Sequence, residues 1–319
     1  MEGRAFRIGV IGAGRVGAVL AAALRQAGHE VVAAAGESDA SRTRIETLLP
    51  GVPVMKPSAV AKAADLVLLT LPDDALANVV RVLVDSRAIR SGQYVVHTSG
   101  RHGLSVLQPA TDVGAHGIAM HPAMTFTGDA ADLDRLAGTS FGVTTAHPDA
   151  ARALVAELRG EPVEIAEADR PLYHAALVVG ANYLVTLVNE AADLLARAGV
   201  PDPGRVLSPL LHAALDNALR SGDAALTGPV SRGDAGTVAG HLEVLGERVP
   251  DAVPGYAAMA RLTAGRALAA GRITPSQAAP LVDVLAEAES PAPGPRVHAA
   301  GTLAPDVVTA RVPRPRRPE

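Results

Sequence analysis

Short runs of apolar, strand-favouring residues recur through the first half of the chain at 7–11, 31–35, 66–71, 94–97, 117–120, 141–144 and 163–165. The segments between them have the spacing of amphipathic helices, and this alternation predicts a parallel, doubly wound α/β sheet. After Glu167 the pattern changes to Ala/Leu-rich stretches with a helical period at 172–198, 206–221, 237–245, 256–270 and 276–289. An α/β domain over residues 1–168 followed by an all-helical domain over 169–289 is therefore expected. Asp169 is placed to cap the first of these helices, Pro171 falls in its first turn, and Gly199 with Pro201 stops it. From Ser290 the chain is rich in Pro, has no sustained period and ends on Arg314, Arg316 and Arg317, which reads as a disordered, solvated tail.

The most apolar stretch, 175–188, contains Asn182 and lies between His174 and Asn189. It falls short of the roughly 20 apolar residues of a membrane span, so a buried helix is expected. A length of 319 residues and 48% hydrophobic content suffice for two cores. Only 2% of residues are aromatic and the formal charge is −4, which argues against base stacking and against attraction to phosphate backbones or anionic lipid. Neither nucleic acid nor a membrane is an expected partner. The absence of cysteine excludes disulfides, thiolate metal sites and cysteine nucleophiles. Met1 runs almost directly into the first strand, so no signal peptide and a cytoplasmic location are expected.

The first strand leads into Gly12, Ala13, Gly14, Arg15, Val16 and Gly17, and a helix and a second strand follow. A GxGxxG in that setting is the dinucleotide-binding fingerprint of a Rossmann domain. Gly12 permits the turn, Gly14 lets backbone approach a pyrophosphate, and Gly17 allows close helix packing; the bland alternative is a glycine turn with no ligand. The second strand ends at Ala34, Ala35 and Gly36, without the acidic residue that usually receives the ribose hydroxyls of NAD. Ser38, Ser41, Arg42 and Arg44 lie just beyond and suit a 2′-phosphate, so NADP (NADPH) is expected, although Glu37 opposes it if turned inward.

In LVLLTLPDDAL, Leu71 and Pro72 mark the turn beneath the nicotinamide ribose, and Asp73 with Asp74 read as helix caps rather than an acid pair or metal site. No metal site is expected anywhere. His97, Thr98 and Ser99 follow a strand at its carboxyl end, where open α/β sheets bind ligands, and His121 follows the next strand.

Three stretches, VVHTSGRHG at 95–103, DRPLYHAALVVGANYLVTLVNEA at 169–191 and ALTGPVSRGDAGTVAGHL at 225–242, carry a wider resemblance. Over roughly residues 6–288 the chain resembles a family of Rossmann-like oxidoreductases with an uncharacterised helical C-terminal domain. That family is similar in architecture to ketopantoate reductase, pyrroline-5-carboxylate reductase and the β-hydroxyacid dehydrogenases, and it includes divergent ketopantoate reductases. The resemblance implies an NADPH-dependent reductase of a small 2-oxo acid, foremost 2-dehydropantoate to pantoate, and a homodimer built through the helical domain. An imine reductase of the pyrroline-5-carboxylate type and a non-catalytic NADP-binding regulator are the alternatives.

Ordinary ketopantoate reductases place a catalytic lysine, and an asparagine one turn on, on the first helix after the Rossmann domain. No lysine stands there in this chain, which offers Tyr173, His174, Asn182 and Asn189. In an α-helix, positions eight apart differ by about 80° and about 12 Å, so His174 and Asn182 can line one side of a cleft. His174 is the expected proton donor and Asn182 the expected partner of the carbonyl oxygen, against packed or hydrogen-bonded structural roles for both. Thr98, Ser99, Thr227 and Arg232 are expected on the substrate. Asp234 is assigned to catalysis, by holding Arg232 or a hydroxyl, against an internal Arg232–Asp234 pair that fixes a loop.

Overall fold

The computed structural model describes residues 5–289. The expected disordered tail at 290–319 lies outside the described residues. The strands are β1 (Arg7–Ile11), β2 (Glu30–Ala35), β3 (Leu66–Leu69), β4 (Tyr94–His97), β5 (His116–Pro122), β6 (Ser140–Thr145) and β7 (Glu161–Glu164). The helices among them are α1 (Arg15–Gln26), α2 (Asp39–Leu48), α3 (Pro57–Ala63), α4 (Asp73–Asp85), α5 (Gln108–Asp112), α6 (Ala131–Arg135) and α7 (Pro148–Glu157). Then come α8 (Arg170–Leu177), α9 (Tyr183–Arg197), α10 (Pro203–Ser221), α11 (Ala235–Arg248), α12 (Val253–Ala269) and α13 (Pro275–Glu289).

One seven-stranded sheet has the order β2-β1-β3-β4-β5-β6-β7. The fully apolar β3, with all four residues buried, sits centrally, as a strand covered on both faces must. Ile8, Val10, Leu66, Leu68, Val96 and Ile118 point to one face and pack with α1, α2 and α7, while Ile11, Val67, Leu69 and Val95 pack with α3, α4 and α5 on the other.

The sheet is not wholly parallel, because β6 runs antiparallel to β5. The connecting segment carries only the five-residue α6. Such a helix rises about 7.5 Å, far less than the roughly 23 Å of the seven-residue β5, and cannot return the chain to the start of the sheet. Instead the buried carboxylate of Asp132 gathers the backbone N–H groups of Thr127 and Gly128 at 2.8 and 2.7 Å and folds the loop in place. β6 thus starts where β5 ends, and His121 pairs with Gly142 at that edge.

The chain divides into two compact units at Thr186 and Leu187, later than the expected 168/169. The reason is that α8 belongs with the sheet: Tyr173 bonds His121, and an added Cβ at Gly100 would lie 2.7 Å from His174 Cδ2. In the second unit Val238, Leu242, Ala257, Ala260, Ala264, Ala267, Leu281 and Leu285 form a core of α11, α12 and α13. The buried helix expected at 175–188 is not buried. Val179, Tyr183 and Val185 are each about 60% exposed, and no residue of α9 is buried. Its backbone also departs from a plain α-helix, since Val178–Asn182 forms a π turn.

Candidate functional site

The loop after β1 is held from below. The N–H groups of Gly12 and Ala13 donate to Ala35 O at 3.0 and 2.9 Å, and Thr70 Oγ1 donates to Gly12 O at 2.6 Å. Gly12 has φ +96°, and an added Cβ would fall 2.5 Å from Thr70 O, so the turn and the close approach of β3 both demand glycine. α1 starts at Gly14 with no capping side chain and no acidic residue in its first turn, which leaves the positive end of its dipole uncompensated. Backbone of Gly12, Ala13, Gly14, Arg15, Val16 and Gly17 thereby forms a turn at an uncompensated helix start, a setting suited to an anion.

Beyond β2, Ser38 caps α2, accepting from Ser41 N at 3.2 Å, and the two hydroxyls lie 3.0 Å apart. Arg42 and Glu37 are exposed. Arg44 and Arg15 converge on the same loop, since an added Cβ at Gly128 would meet Arg44 Nε at 2.6 Å and Arg15 Cγ at 2.9 Å. Hydroxyls and guanidiniums beside a strand end without an acid fit a 2′-phosphate. Leu71 is partly exposed and Pro72 is the N-cap residue of α4; Asp73 and Asp74 occupy its first turn, where they favour the dipole, but neither is the expected side-chain cap.

Carboxyl ends of β1, β3, β4 and β5 share one edge with the start of β6. At β4 the fully buried His97 bonds Gly103 O through Nε2 at 2.8 Å, while its Nδ1 accepts from Ser99 N at 3.2 Å. Those partners define the Nε2–H tautomer, and burial pushes the imidazole pKa down to about 4. Thr98 is partly exposed, whereas Ser99 Oγ is buried and accepts from His102 N.

His121 is also pushed down to about 4, by burial first and then by the Arg170 charge. Its Nδ1 lies 3.0 Å from Tyr173 Oη. Burial raises the Tyr173 pKa, with Arg170 opposing. His174 stands beside this pair, its ring centre 6.2 Å from that of His121. Asn182, expected as a costly buried amide, is exposed, and the π turn before it means that the 80° relation of a plain α-helix to His174 no longer applies.

Arg170 is the residue that sequence reasoning missed. Its side chain is fully buried, and Nε, Nη1 and Nη2 all lack a hydrogen-bond partner among the described residues. The nearby Glu167 is otherwise engaged, accepting from Leu104 N at 2.6 Å and Ser105 N at 3.0 Å. A weak signal did exist: a cation in the first turn of a helix opposes the dipole and asks for a reason.

Thr227, Arg232 and Asp234 belong to the second unit. All three are exposed. Asp234 caps α11, accepting from Thr237 N at 3.0 Å and Thr237 Oγ1 at 2.7 Å, and these bonds hold its carboxyl below the usual range. No Arg232–Asp234 ion pair is present among the described residues.

The fold and its glycine loop define a two-part chain whose first part is a Rossmann-like α/β domain. Residues 2–122 match the model of the Rossmann-like domain, and residues 139–263 match the family described as Domain of unknown function (DUF2520). Among solved structures, a candidate NADP oxidoreductase from Bacteroides fragilis is 22% identical over 82% of this chain and 98% of its own, with a TM-score of 0.70. A 1-pyrroline-5-carboxylate reductase from Streptococcus pyogenes is 19% identical over 90% of this chain and 99% of its own, at TM-score 0.55. An imine reductase from Myxococcus stipitatus, solved with NADP+, is 17% identical over 83% and 95%, at TM-score 0.57. At these identities the likeness is one of fold. A search of curated protein sequences finds no match.

Proposed function

We propose that this chain is an NADPH-dependent reductase of a small 2-oxo acid, foremost 2-dehydropantoate (ketopantoate) to pantoate, acting in the cytoplasm as a homodimer joined through its helical part. The observation that carries the cofactor half is the Gly12–Gly17 cradle at the uncapped α1 terminus, followed by a strand end bearing Ser38 and Ser41 in place of an acid. NADPH, when bound, supplies the hydride. Reduction then builds negative charge on the substrate carbonyl oxygen, which must be stabilised and protonated. His174 and the His121–Tyr173 pair stand at the carboxyl edge for that purpose. Thr98 and Ser99, with Thr227, Arg232, Asn182 and Asp234, are the further substrate and catalytic candidates.

The second reading is a cyclic-imine reductase. It is favoured by the absence of lysine from α8 and α9 and by the pyrroline-carboxylate and imine reductases among the structural neighbours. Oxidation of NADPH and NADH with ketopantoate, 1-pyrroline-5-carboxylate and 1-pyrroline separates the two. Turnover of ketopantoate supports the first reading, and turnover of imines alone supports the second. Tight NADPH binding with no turnover marks a nucleotide-binding regulator. NADPH should bind more tightly than NADH, and replacing Arg42 and Arg44 together by Ala should narrow the gap; equal affinities in the parent refute the NADP assignment.

A further inference from the structure

A guanidinium carries five N–H donors and keeps its charge at any physiological pH. Closing it off from water without an acceptor is one of the costliest states a side chain can adopt. Arg170 is in that state, with zero exposure and three unpartnered nitrogens. Its position at the start of α8 adds to the cost, since the helix dipole there repels a cation. Among the described residues the carboxylates that bear on this cluster are Glu167 and Asp73. Glu167 accepts from the backbone of Leu104 and Ser105 and reaches Arg170 only through its charge, and Asp73 is felt by His97 and His121; neither makes an ion pair with Arg170 among the described residues. Arg170 therefore has no hydrogen-bonded counter-ion among the described residues, only the more distant charge of Glu167.

Its surroundings belong to the carboxyl edge of the sheet. Arg170, Tyr173 and His174 occupy positions i, i+3 and i+4 of one helix and so share a face. That face meets the sheet edge at Gly100, His121 and Gly142: an added Cβ at Gly142 would lie 2.7 Å from Tyr173 Oη. The same edge carries Thr70 and the Gly12 turn, so the guanidinium and the dinucleotide cradle serve one end of the sheet. His97 and His121 are held uncharged, which leaves Arg170 as the cation to be neutralised.

We propose that Arg170 is the receptor for the carboxylate of the substrate, with the Tyr173 hydroxyl and His121 beside it to orient the group next to that carboxylate. A carboxylate matches a guanidinium in two parallel hydrogen bonds and brings the hydrogen-bonded negative charge that Arg170 lacks, whereas a phosphate dianion would overshoot it. Arg170 is closed to solvent, so entry requires a side-chain opening. The partly exposed Tyr173 and His174 one turn along are placed to provide it. The identity of the anion as a 2-oxo or imino acid rests on the function proposed above; the need of Arg170 for an anion does not.

The test compares the full-length protein with its Arg170→Met and Arg170→Lys variants in thermal stability, NADPH affinity, and affinity for ketopantoate against its neutral lactone, by calorimetry with NADP+ present. Arg170→Met removes a buried unpaired charge while keeping length, so it should melt no lower than the parent. NADPH binding should be unchanged. Ketopantoate binding should weaken roughly 100-fold or more, with the lactone unaffected and Arg170→Lys intermediate. A parent that binds no ketopantoate overturns the ketopantoate reading alone, and the comparison then passes to 1-pyrroline-5-carboxylate against 1-pyrroline. The proposal is overturned if the parent prefers neither acid to its neutral counterpart. It is likewise overturned if Arg170→Met lowers stability and leaves acid binding intact, or weakens acid and neutral compound alike.

Discussion

His97 accepts a proton only by giving up a bond. Its Nδ1 receives Ser99 N–H, and protonation would turn that acceptor into a second donor. The ordinary value near 6.5 applies to the unfolded chain, and the folded value is about 4, so between those pH values the unfolded state holds more protons. Stability contributed by His97 is therefore complete above 6.5 and lost as pH falls towards 4, in total about 3 kcal/mol from a difference of about 2.5. Urea unfolding at falling pH should show a slope to which His97 and the equally shifted His121 both contribute, and His97→Gln should remove about half of it even though it lowers stability at pH 7. An unchanged slope in the variant would assign the acid sensitivity elsewhere. The sequence placed His97 at the carboxyl end of its strand, where the structure has it, but its hydrogen bonds to the 99–103 turn could not be read from it. Arg170 was illegible for a related reason: arginine is a surface residue by habit, and only packing shows that its partners are missing.

At the level of elements, the glycine turn is tied to β3 by one side chain. Thr70 Oγ1 donates to Gly12 O across 58 positions of sequence, so the cradle's shape depends on a neighbouring strand. Thr70→Val keeps the volume and removes the bond, leaving a partly buried carbonyl unsatisfied. A loss of about 1–2 kcal/mol is expected in denaturant unfolding, with weaker NADPH binding. Unchanged affinity would show that the turn holds itself. Strand positions were legible because β-formers alternate with amphipathic segments. The reversed direction of β6 was not, since a run of apolar residues is the same read either way, and the decisive fact was the brevity of α6. Helical periodicity also concealed the π turn at Val178–Asn182, because one extra residue in a mostly apolar stretch shifts no charge onto the wrong face.

On the scale of the whole molecule, the expectation of a buried helix at 175–188 fails in a productive way, because the exposed apolar side chains imply a cover. Val179, Tyr183, Val185 and Leu187 are each about half exposed or more. The continuous helical stretch 167–197 is long and apolar enough to cross a bilayer by length and composition. Its first part, however, is committed to the sheet through Tyr173 and His174, and the remainder carries Glu190, Asp193 and Arg197, which a bilayer interior disfavours. A second copy of the chain is the proposed cover. Light scattering should return a dimer at micromolar concentration, and Val185→Glu should shift it towards monomer; a monomeric parent would remove the homodimer from the proposal. The π turn also bears on this surface. Deleting one residue within 178–182 would let the helix revert to plain α winding and leave the side chains of α9 facing as they do, because about four residues of α-helix sweep the same rotation as the five of the π turn. The wide turn therefore lets this helix carry one residue more than plain α winding would allow while the face that α9 presents stays the same.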